Sequence, residues 1–157
     1  MPLLNIVLYQ PEIPSNTGNI ARSCLATGSR LHLIKPLGFS IDDRQLKRAG
    51  LDYWHEADVR IWESVEELFA ATRDEAARRF FFTTKTQRPY YEAKFRPGDW
   101  FFFGRETKGL PESLLEANAD RCVTIPIESG ARSLNLSVAA GVAIFEARRQ
   151  FAAEAAG

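Results

Sequence analysis

The sequence is poor in the residues that build metal sites and disulfide scaffolds. Its 157 residues include two cysteines, Cys24 and Cys122, and two histidines, and the cysteines do not form a C-x-x-C pair. A structural zinc site needs about four ligands, and a disulfide scaffold needs more cysteines in a smaller chain. We therefore predict two buried thiols and no bound metal.

An excess of one charge and long apolar runs are also missing. Twenty Lys and Arg residues balance twenty Asp and Glu residues, so overall charge cannot hold nucleic acid, although a local basic patch or one assembled across a dimer can. No apolar run approaches the roughly 20 residues that span a bilayer. The segment from Met1 to Asn5 lacks the basic and apolar parts of a signal peptide. We expect a cytoplasmic protein with no membrane partner.

The usual nucleotide-binding fingerprints are absent. No G-x-G-x-x-G occurs, which removes the common dinucleotide motif. Gly104 and Gly109 have the spacing of the outer glycines of a phosphate-binding P-loop, but Leu110 and Pro111 stand where Lys and Ser or Thr are required. This substitution argues against an NTPase.

Strand-length apolar runs alternate with helical patterns along the chain. Hydrophobic residues make up 45% of the sequence, which is ample for a core. The strands are predicted at residues 3–9, 31–34, 59–62, 79–84, 100–103 and 121–125. The helices are predicted from a cap at Asn16 and Thr17 to Gly28 and at residues 42–49, 64–77, 111–118 and 134–153, with a fraying alanine-rich tail. The alternation predicts one α/β domain over residues 1–157, a mainly parallel sheet with helices on both faces.

The first loop with unusual chemistry runs from Pro11 to Arg22. Small polar residues at a predicted helix start leave backbone N–H groups open, and such a terminus can bind a phosphate or another anion. Arg22 lies within the first two turns, where its guanidinium could reach that ligand. An ordinary capped helix with a surface arginine explains the loop equally well.

Two further loops follow predicted strands. Residues 104–109 make a sharp glycine turn that admits a ligand close to the backbone beside the Glu106 carboxylate, although a generic turn has the same composition. In the third loop, Ser133, Asn135 and Ser137 cluster at a helix start. One of them should cap that helix, and the others are available to bond a ligand.

The joint order of three motifs is more specific than any one of them. N-T-G-N-I-A-R, F-G-R-E-T-K-G-L-P and I-P-I…S-L-N-L-S resemble the signature motifs of SPOUT methyltransferases, and the resemblance extends from about Asn5 to Gln150. The opening N-I-V-L-Y-Q-P-E-I-P and the R-A-G-L-D-Y segment are similar to the TrmL (YibK) type, minimal tRNA 2′-O-methyltransferases that modify the wobble cytidine or uridine.

The resemblance implies a fold, a cofactor and an assembly. It implies a deep C-terminal trefoil knot and a homodimer whose active site draws on both subunits. S-adenosylmethionine (SAM) is the implied cofactor, held by Phe82, Gly104, Glu106, Ile125, Ile127, Ser133 and Leu134. The implied catalytic residues are Arg22, Ser133 and Asn135, with no metal. Arg22 would act as a base or as an orienting, charge-stabilising group, and the second role is physically easier for a guanidinium.

The implied substrate is the tRNA anticodon stem-loop, and its contacts are the least readable part of the sequence. Guanidinium and aromatic planes can stack unpaired bases. Candidate contacts are Arg44, Lys47, Arg48, Lys85, Arg88, Tyr90, Tyr91, Lys94 and Arg96. A solvated charged surface accounts for the same residues. Phe145 stands where related enzymes commonly have a tyrosine. Methylation of ribosomal RNA and a non-catalytic role in RNA binding or ribosome assembly are the alternative functions.

Overall fold

The computed structural model describes residues 1–49 and 54–157, and it contains one sheet of six strands. The strands are β1 (Asn5–Tyr9), β2 (Arg30–Ile34), β3 (Val59–Trp62), β4 (Arg79–Phe82), β5 (Trp100–Phe103) and β6 (Cys122–Val123). They lie in the order β3-β2-β1-β5-β4-β6, and every neighbouring pair is parallel. The prediction of a mainly parallel sheet is confirmed, although β1, β4 and β6 are shorter than predicted.

Helices cover both faces of this sheet, as predicted. They are α1 (Pro14–Thr27), α2 (Arg44–Ala49), α3 (Val65–Ala71), α4 (Glu112–Ala117) and α5 (Leu136–Ala156), with short 3-10 helices at Trp54–Glu56, Arg73–Arg78, Tyr90–Glu92 and Ala119–Arg121. Apolar residues of α1 and α5 belong to the core on one face, and Leu68 of α3 and Leu115 of α4 belong to the core on the other. Helix α2 packs against α1.

The aromatic strands β4 and β5 are neighbours in the interior of the sheet, each with a strand on both sides. Successive side chains of a strand point to opposite faces of a sheet. Phe80 and Phe101 accordingly join the α1–α5 core, whereas Phe81 and Phe102 join the α3–α4 core with their ring centres 4.7 Å apart. A continuous aromatic run is therefore buried on both faces, as is typical of an interior strand of a parallel sheet.

Helix α1 begins earlier than the sequence indicates. The predicted cap residues are Asn16 and Thr17, but the helix begins at Pro14, and Ile13 before it makes no side-chain cap. Proline suits the first helical turn because its φ is fixed and its missing N–H would be unpaired there anyway. Asn16 and Thr17 lie inside the first turn and are buried. The capping prediction for these two residues was wrong.

Two other helix ends differ from prediction. Ser64 caps α3 by accepting a hydrogen bond from the Glu67 amide (3.1 Å), but α3 ends at Ala71 instead of near residue 77. The Thr72 hydroxyl donates to the Leu68 carbonyl (2.7 Å), and the chain then tightens into a 3-10 helix. At the other end of the chain, α5 continues to Ala156, consistent with the high helix propensity of alanine.

Several expectations concern features other than the sheet. Cys24 and Cys122 are free and buried, which confirms the predicted thiols, and burial raises the pKa of both. Within residues 1–49 and 54–157, no group of three or more His, Cys, Asp and Glu side chains is positioned to hold a metal ion. None of the helices in those ranges is both long and apolar enough to cross a bilayer.

Residues 50–53, which hold most of the R-A-G-L-D-Y segment, lie outside the described residues. The knot and the single-domain assignment stay predictions.

A polar network centred on the buried His32 side chain links β1, β2 and β3. His32 is 2% exposed, and its Nδ1 accepts a hydrogen bond from the Trp62 indole N–H (3.0 Å). The proton must therefore lie on Nε2, which donates to Asn5 Oδ1 (3.0 Å), and the Asn5 amide donates to the Gly98 carbonyl (3.1 Å). The Trp100 ring lies 4.6 Å from the imidazole. Burial, followed by repulsion from nearby arginines, lowers the pKa of His32 to about 3.

This network predicts a loss of stability in mild acid. Folded His32 stays neutral, whereas unfolded His32 takes up a proton below about pH 6.5, so protonation favours the unfolded chain. The free energy of unfolding should fall by about 1.4 kcal/mol per pH unit as the pH drops from about 6.5 towards 3. Urea unfolding at pH 7 and pH 5 measures the effect. A His55→Gln variant, which changes an exposed histidine, should keep this pH dependence. Equal unfolding free energies at the two pH values would contradict it.

Candidate active site

A cavity of about 670 Å³ opens at the carboxyl ends of β4, β5 and β6. Parallel sheets bind ligands at this edge, because the loops that leave neighbouring strands converge there. Residues from all three motif loops line it: Ile13 and Asn16 from the first, residues 103–110 from the second, and Ile125, Ile127 and residues 132–136 from the third. Phe82, Thr83, Thr84, Lys85, Thr124 and Ala139 complete the wall.

The structure brings together most of the residues that the sequence singles out. The predicted residues found in the cavity wall are Phe82, Gly104, Glu106, Ile125, Ile127, Ser133, Leu134 and Asn135. Arg22 is not among the lining residues; it lies exposed on α1. One chain therefore provides the wall of the cavity without the predicted catalytic arginine.

Gly104 allows the second loop to fold back tightly on itself. A Cβ atom at this position would overlap the backbone of Gly109 and Leu110. The turn is closed by two backbone hydrogen bonds between Arg105 and Gly109, of 3.2 and 2.9 Å, and Gly109 has a φ of 67°, in the left-handed region. The sequence predicts that a ligand approaches the backbone at Gly104, whereas the nearest neighbour in the structure is the backbone of the loop itself.

Two carboxylates tie this loop to the start of α1 in a reciprocal pair of contacts, called here the carboxylate clasp. Glu106 accepts hydrogen bonds from the backbone amides of Glu12 and Ile13, both 2.9 Å, and from the Asn16 side-chain amide, 3.3 Å. In return, the Glu12 carboxylate accepts from the amide (3.0 Å) and hydroxyl (2.9 Å) of Thr107. These bonds lower the pKa of Glu12.

The clasp changes the interpretation of the helix start. The sequence predicts open N–H groups at the helix start that could receive a phosphate or another anion, but the Glu106 carboxylate lies at this point, bonded to the amides of Glu12 and Ile13 just before the helix and to the Asn16 side chain within it. An anion at a helix amino terminus is favourable because N–H groups and the helix dipole both point towards it. The protein supplies its own anion. Glu106 thus lines the cavity while its carboxylate oxygens are engaged in holding the loops together.

Asn135 caps the helix that closes the cavity. Its Oδ1 accepts hydrogen bonds from the Ser137 amide (2.9 Å), the Ser137 hydroxyl (2.6 Å) and the Val138 amide (3.4 Å). The prediction that one of the three small polar residues caps this helix is confirmed. The Asn135 side-chain nitrogen has no hydrogen-bond partner in the part of the chain that the structure describes, so it can donate into the cavity.

Two substitutions at Asn135 separate its two possible roles. Asn135→Ala removes the cap and should lower the free energy of unfolding by about 1 kcal/mol. Asn135→Asp keeps the capping oxygen, so its stability should match the wild type, but it lacks the side-chain donor. If that donor serves catalysis, the aspartate variant should lose turnover while staying fully folded. Urea unfolding measures the first effect, and the rate of turnover measures the second. Full activity in both variants would leave Asn135 with a structural role alone.

Positive charge surrounds the cavity mouth. The cationic residues in the wall are Lys85, Arg105, Lys108 and Arg132. Lys85 pairs with Glu112 at 2.9 Å, which lowers the pKa of Glu112, and Arg105 donates to the Gly109 carbonyl (3.2 Å) with its guanidinium 5.3 Å from the centre of the Tyr9 ring. Among the described wall residues, Glu106 is the carboxylate that offsets these cations. The site therefore favours a ligand that carries carboxylate or phosphate groups.

Glu12 and Thr107 were missed as site residues by sequence reasoning. Each stands in a motif that was noticed, Glu12 in P-E-I-P and Thr107 in R-E-T-K. No local pattern shows that they pair, because 95 residues separate them along the chain. A charged residue at a loop start and a threonine in a turn are ordinary on their own.

The fold and this site define the protein as a methyltransferase of the SPOUT class, with a parallel α/β sheet and a ligand cavity formed by the three motif loops. The chain belongs to the SpoU rRNA Methylase family, whose sequence profile matches residues 3–145.

Individual relatives agree with this assignment. The chain is 51% identical over 150 residues to the tRNA (cytidine(34)-2′-O)-methyltransferase of Methylovorus glucosotrophus (strain SIP3-4), covering 94% of this chain and 96% of the relative. A solved structure described as giving insights into 2-OH methylation of C/U34 on tRNA is 48% identical, with a TM-score of 0.90 over 96% of this chain and 97% of that one. An AdoMet-bound rRNA methyltransferase from Sinorhizobium meliloti shares the fold at 23% identity, with a TM-score of 0.84 over 95% of this chain and 60% of that one.

Proposed function

We propose that this protein transfers a methyl group from SAM to the ribose 2′-hydroxyl of the wobble nucleotide of tRNA, a cytidine or modified uridine at position 34. The observation that carries the proposal is the meeting of all three motif loops around one cavity at the carboxyl edge of the sheet. Family membership and the names of the relatives support the reaction class and the substrate.

The wall of the cavity suits SAM. Its apolar side chains, Phe82, Ile125, Ile127 and Leu134, can cover an adenine ring, and the Ser133 hydroxyl can bond polar groups of the ligand. The tight turn at Gly104 places backbone groups in the cavity wall, and the surrounding cations would attract the carboxylate of SAM. When bound, SAM supplies a methyl group already activated by the sulfonium, so the reaction needs no covalent nucleophile from the protein.

The remaining chemical task is to align the 2′-hydroxyl and assist the loss of its proton. A guanidinium is effectively always protonated in proteins, so we assign Arg22 to orienting the adjoining phosphate and stabilising negative charge that develops on the 2′-oxygen. Asn135, with a free side-chain donor, and Ser133 are placed in the cavity wall to position the hydroxyl or the cofactor.

A homodimer would bring Arg22 to a cavity. Arg22 lies exposed on α1, outside the cavity of its own chain, so we propose that it serves the cavity of a partner subunit. Helix α5 carries an exposed apolar stripe suited to such an interface, with Val138 and Phe145 each about half exposed. The two side chains are seven residues apart and therefore lie on one helical face. A phenyl ring at position 145 serves an apolar interface without the tyrosine hydroxyl common in related enzymes.

The tRNA would meet the cavity mouth and the exposed basic residues outside it. Lys85 and the exposed α2 residues Arg44, Lys47 and Arg48 are candidates for phosphate contacts, and Tyr91, 53% exposed, is a candidate for stacking an anticodon base. We further propose that residues 1–157 act as a single domain and that the protein works in the cytoplasm, where its substrate is available.

The direct test is to incubate purified protein with SAM and total tRNA and to map ribose methylation by mass spectrometry of nuclease fragments. We expect a 2′-O-methyl group at the wobble nucleotide of a subset of tRNAs. The same nucleotide should lose its methyl group in a strain that lacks the gene. Absence of any 2′-O-methyl product, with active cofactor supplied, would refute the proposal.

Methylation of ribosomal RNA is the second candidate function, because rRNA is the substrate named for the SpoU family. Parallel reactions with ribosomal RNA separate the candidates, since product on ribosomal RNA alone would replace the tRNA assignment. A non-catalytic role in RNA binding or ribosome assembly would instead leave an Arg22→Ala variant with its full effect in cells.

A further inference from the structure

Glu12 contacts the cavity rim without lining the cavity. Its Oε1 accepts hydrogen bonds from the Thr107 amide (3.0 Å) and hydroxyl (2.9 Å), and its Oε2 lies 3.0 Å from the same hydroxyl. Thr107 is a wall residue, whereas Glu12 is not. The Glu12 carboxylate therefore acts on the cavity through Thr107.

The Glu12 backbone is fixed from two other sides. The Glu106 carboxylate accepts a hydrogen bond from the Glu12 amide. A Cβ on Gly38 would lie 2.8 Å from the Glu12 Cα and from the Glu12 carbonyl oxygen, so the loop after β2 packs closely against the Glu12 backbone. The Gly38 amide also donates to the Pro11 carbonyl (2.9 Å). Because these contacts hold the Glu12 backbone in place, its carboxylate can restrain Thr107.

We propose that Glu12 is a positioning residue, which holds the loop 104–109 in the conformation that binds the cofactor and ties that loop to the start of the helix carrying Arg22. The inference rests on the proposed function for the identity of the ligand. It assigns Glu12 no contact with cofactor or RNA. The two halves of the clasp are separate. Loss of the Glu12 carboxylate would release Thr107 while Glu106 stays bonded to the start of α1, and loss of the Glu106 carboxylate would do the reverse.

The glutamine variant distinguishes an anchor from a charge. In Glu12→Gln the amide oxygen can still accept from the Thr107 amide and hydroxyl, so the anchor remains while the negative charge is lost. In Glu12→Ala both are lost. Thr107→Val removes the hydroxyl and leaves the backbone amide. A charge that attracted the cationic cofactor would make the glutamine and alanine variants equally weak.

The experiment measures SAM binding by calorimetry, with hydrogen exchange of residues 105–109 as a readout that needs no ligand. We expect Glu12→Ala to bind SAM about tenfold more weakly, from losing bonds at the rim, and Glu12→Gln to stay close to the wild type. The double variant Glu12→Ala/Thr107→Val should bind SAM no more weakly than Glu12→Ala, because the two substitutions remove the two partners of the same contact. Exchange at the Thr107 amide should be faster in the alanine variant.

Glu128→Ala is the matched control, since Glu128 is an exposed residue of the third loop that does not line the cavity, and its carboxylate makes no hydrogen bond within the described residues. It should bind SAM like the wild type. Unchanged binding and exchange in Glu12→Ala would overturn the inference, as would equal weakening by glutamine and alanine. Should Glu12→Ala not fold, Thr107→Val carries the test with an expected smaller loss. A wild-type protein that does not bind SAM would refute the proposed function. The exchange data would still test whether Glu12 holds the loop 104–109, because they need no ligand.

Discussion

Replacing Gly104 with alanine should weaken SAM binding by roughly 100-fold while leaving the sheet folded. The added methyl group would overlap the backbone of Gly109 and Leu110, which cannot rotate away as a side chain would. Forcing extra atoms into a packed site costs about 1–3 kcal/mol, and the upper part of that range corresponds to about 100-fold in affinity. Relief requires the 105–109 turn to move outward, which pulls Glu106 and Thr107 away from the start of α1. Calorimetry with SAM measures the loss.

Gly130→Ala is the matched control for this prediction. A Cβ on Gly130 meets nothing within 4 Å, and Gly130 is not a wall residue. This variant should bind SAM with wild-type affinity, so a loss there would point to a general effect of stiffening the loops. Circular dichroism and thermal unfolding establish that both variants fold. Wild-type affinity in Gly104→Ala would show that the tight turn is dispensable for the cavity.

Replacing Arg22 with alanine should lower kcat for tRNA methylation by about 100- to 1,000-fold, the usual effect of removing one group that stabilises developing negative charge. SAM affinity should stay unchanged, because Arg22 is absent from the cavity wall of its own chain and is assigned to the RNA phosphate and 2′-oxygen instead of the cofactor. Single-turnover kinetics with saturating tRNA measure the chemical step. Arg73→Ala, another exposed arginine, should retain wild-type kcat. A weakened KM for tRNA with normal kcat would make Arg22 a binding residue only.

Mixing the Arg22→Ala and Gly104→Ala variants tests where Arg22 acts, provided that SAM is kept near the wild-type Kd, where the Gly104→Ala cavity is almost empty. In a mixed dimer of Arg22→Ala and Gly104→Ala chains, one cavity has a normal Gly104 and receives Arg22 from the other subunit. After subunit exchange, about half of the dimers are mixed and each has one working site, so about a quarter of wild-type activity should return in a symmetric dimer. No recovery, with exchange verified by native mass spectrometry of tagged chains, would place Arg22 in the site of its own chain or outside any site.

Much of the fold could be predicted because it depends on local patterns. The aromatic runs around Phe81 and Phe102 alternate between two apolar environments, and that pattern identifies strands buried on both faces. Boundaries were less predictable. Asn16 has the chemistry of a cap, but the helix begins at Pro14, and the Asn16 side-chain amide instead donates to the Glu106 carboxylate 90 residues away. A cap preference describes a residue with its neighbours in sequence and contains no information on a distant partner.

The sequence by itself determined which segments are strands and helices, and which three loops carry unusual chemistry, since periodicity and composition are properties of short stretches. Only the tertiary structure decided that Glu106 and Glu12 bond each other's loops and that Arg22 lies outside the cavity of its own chain. The strand order β1-β5-β4-β6 brings loops together that lie far apart in the chain. That order results from the packing of the whole core, so no local segment encodes the contacts it creates.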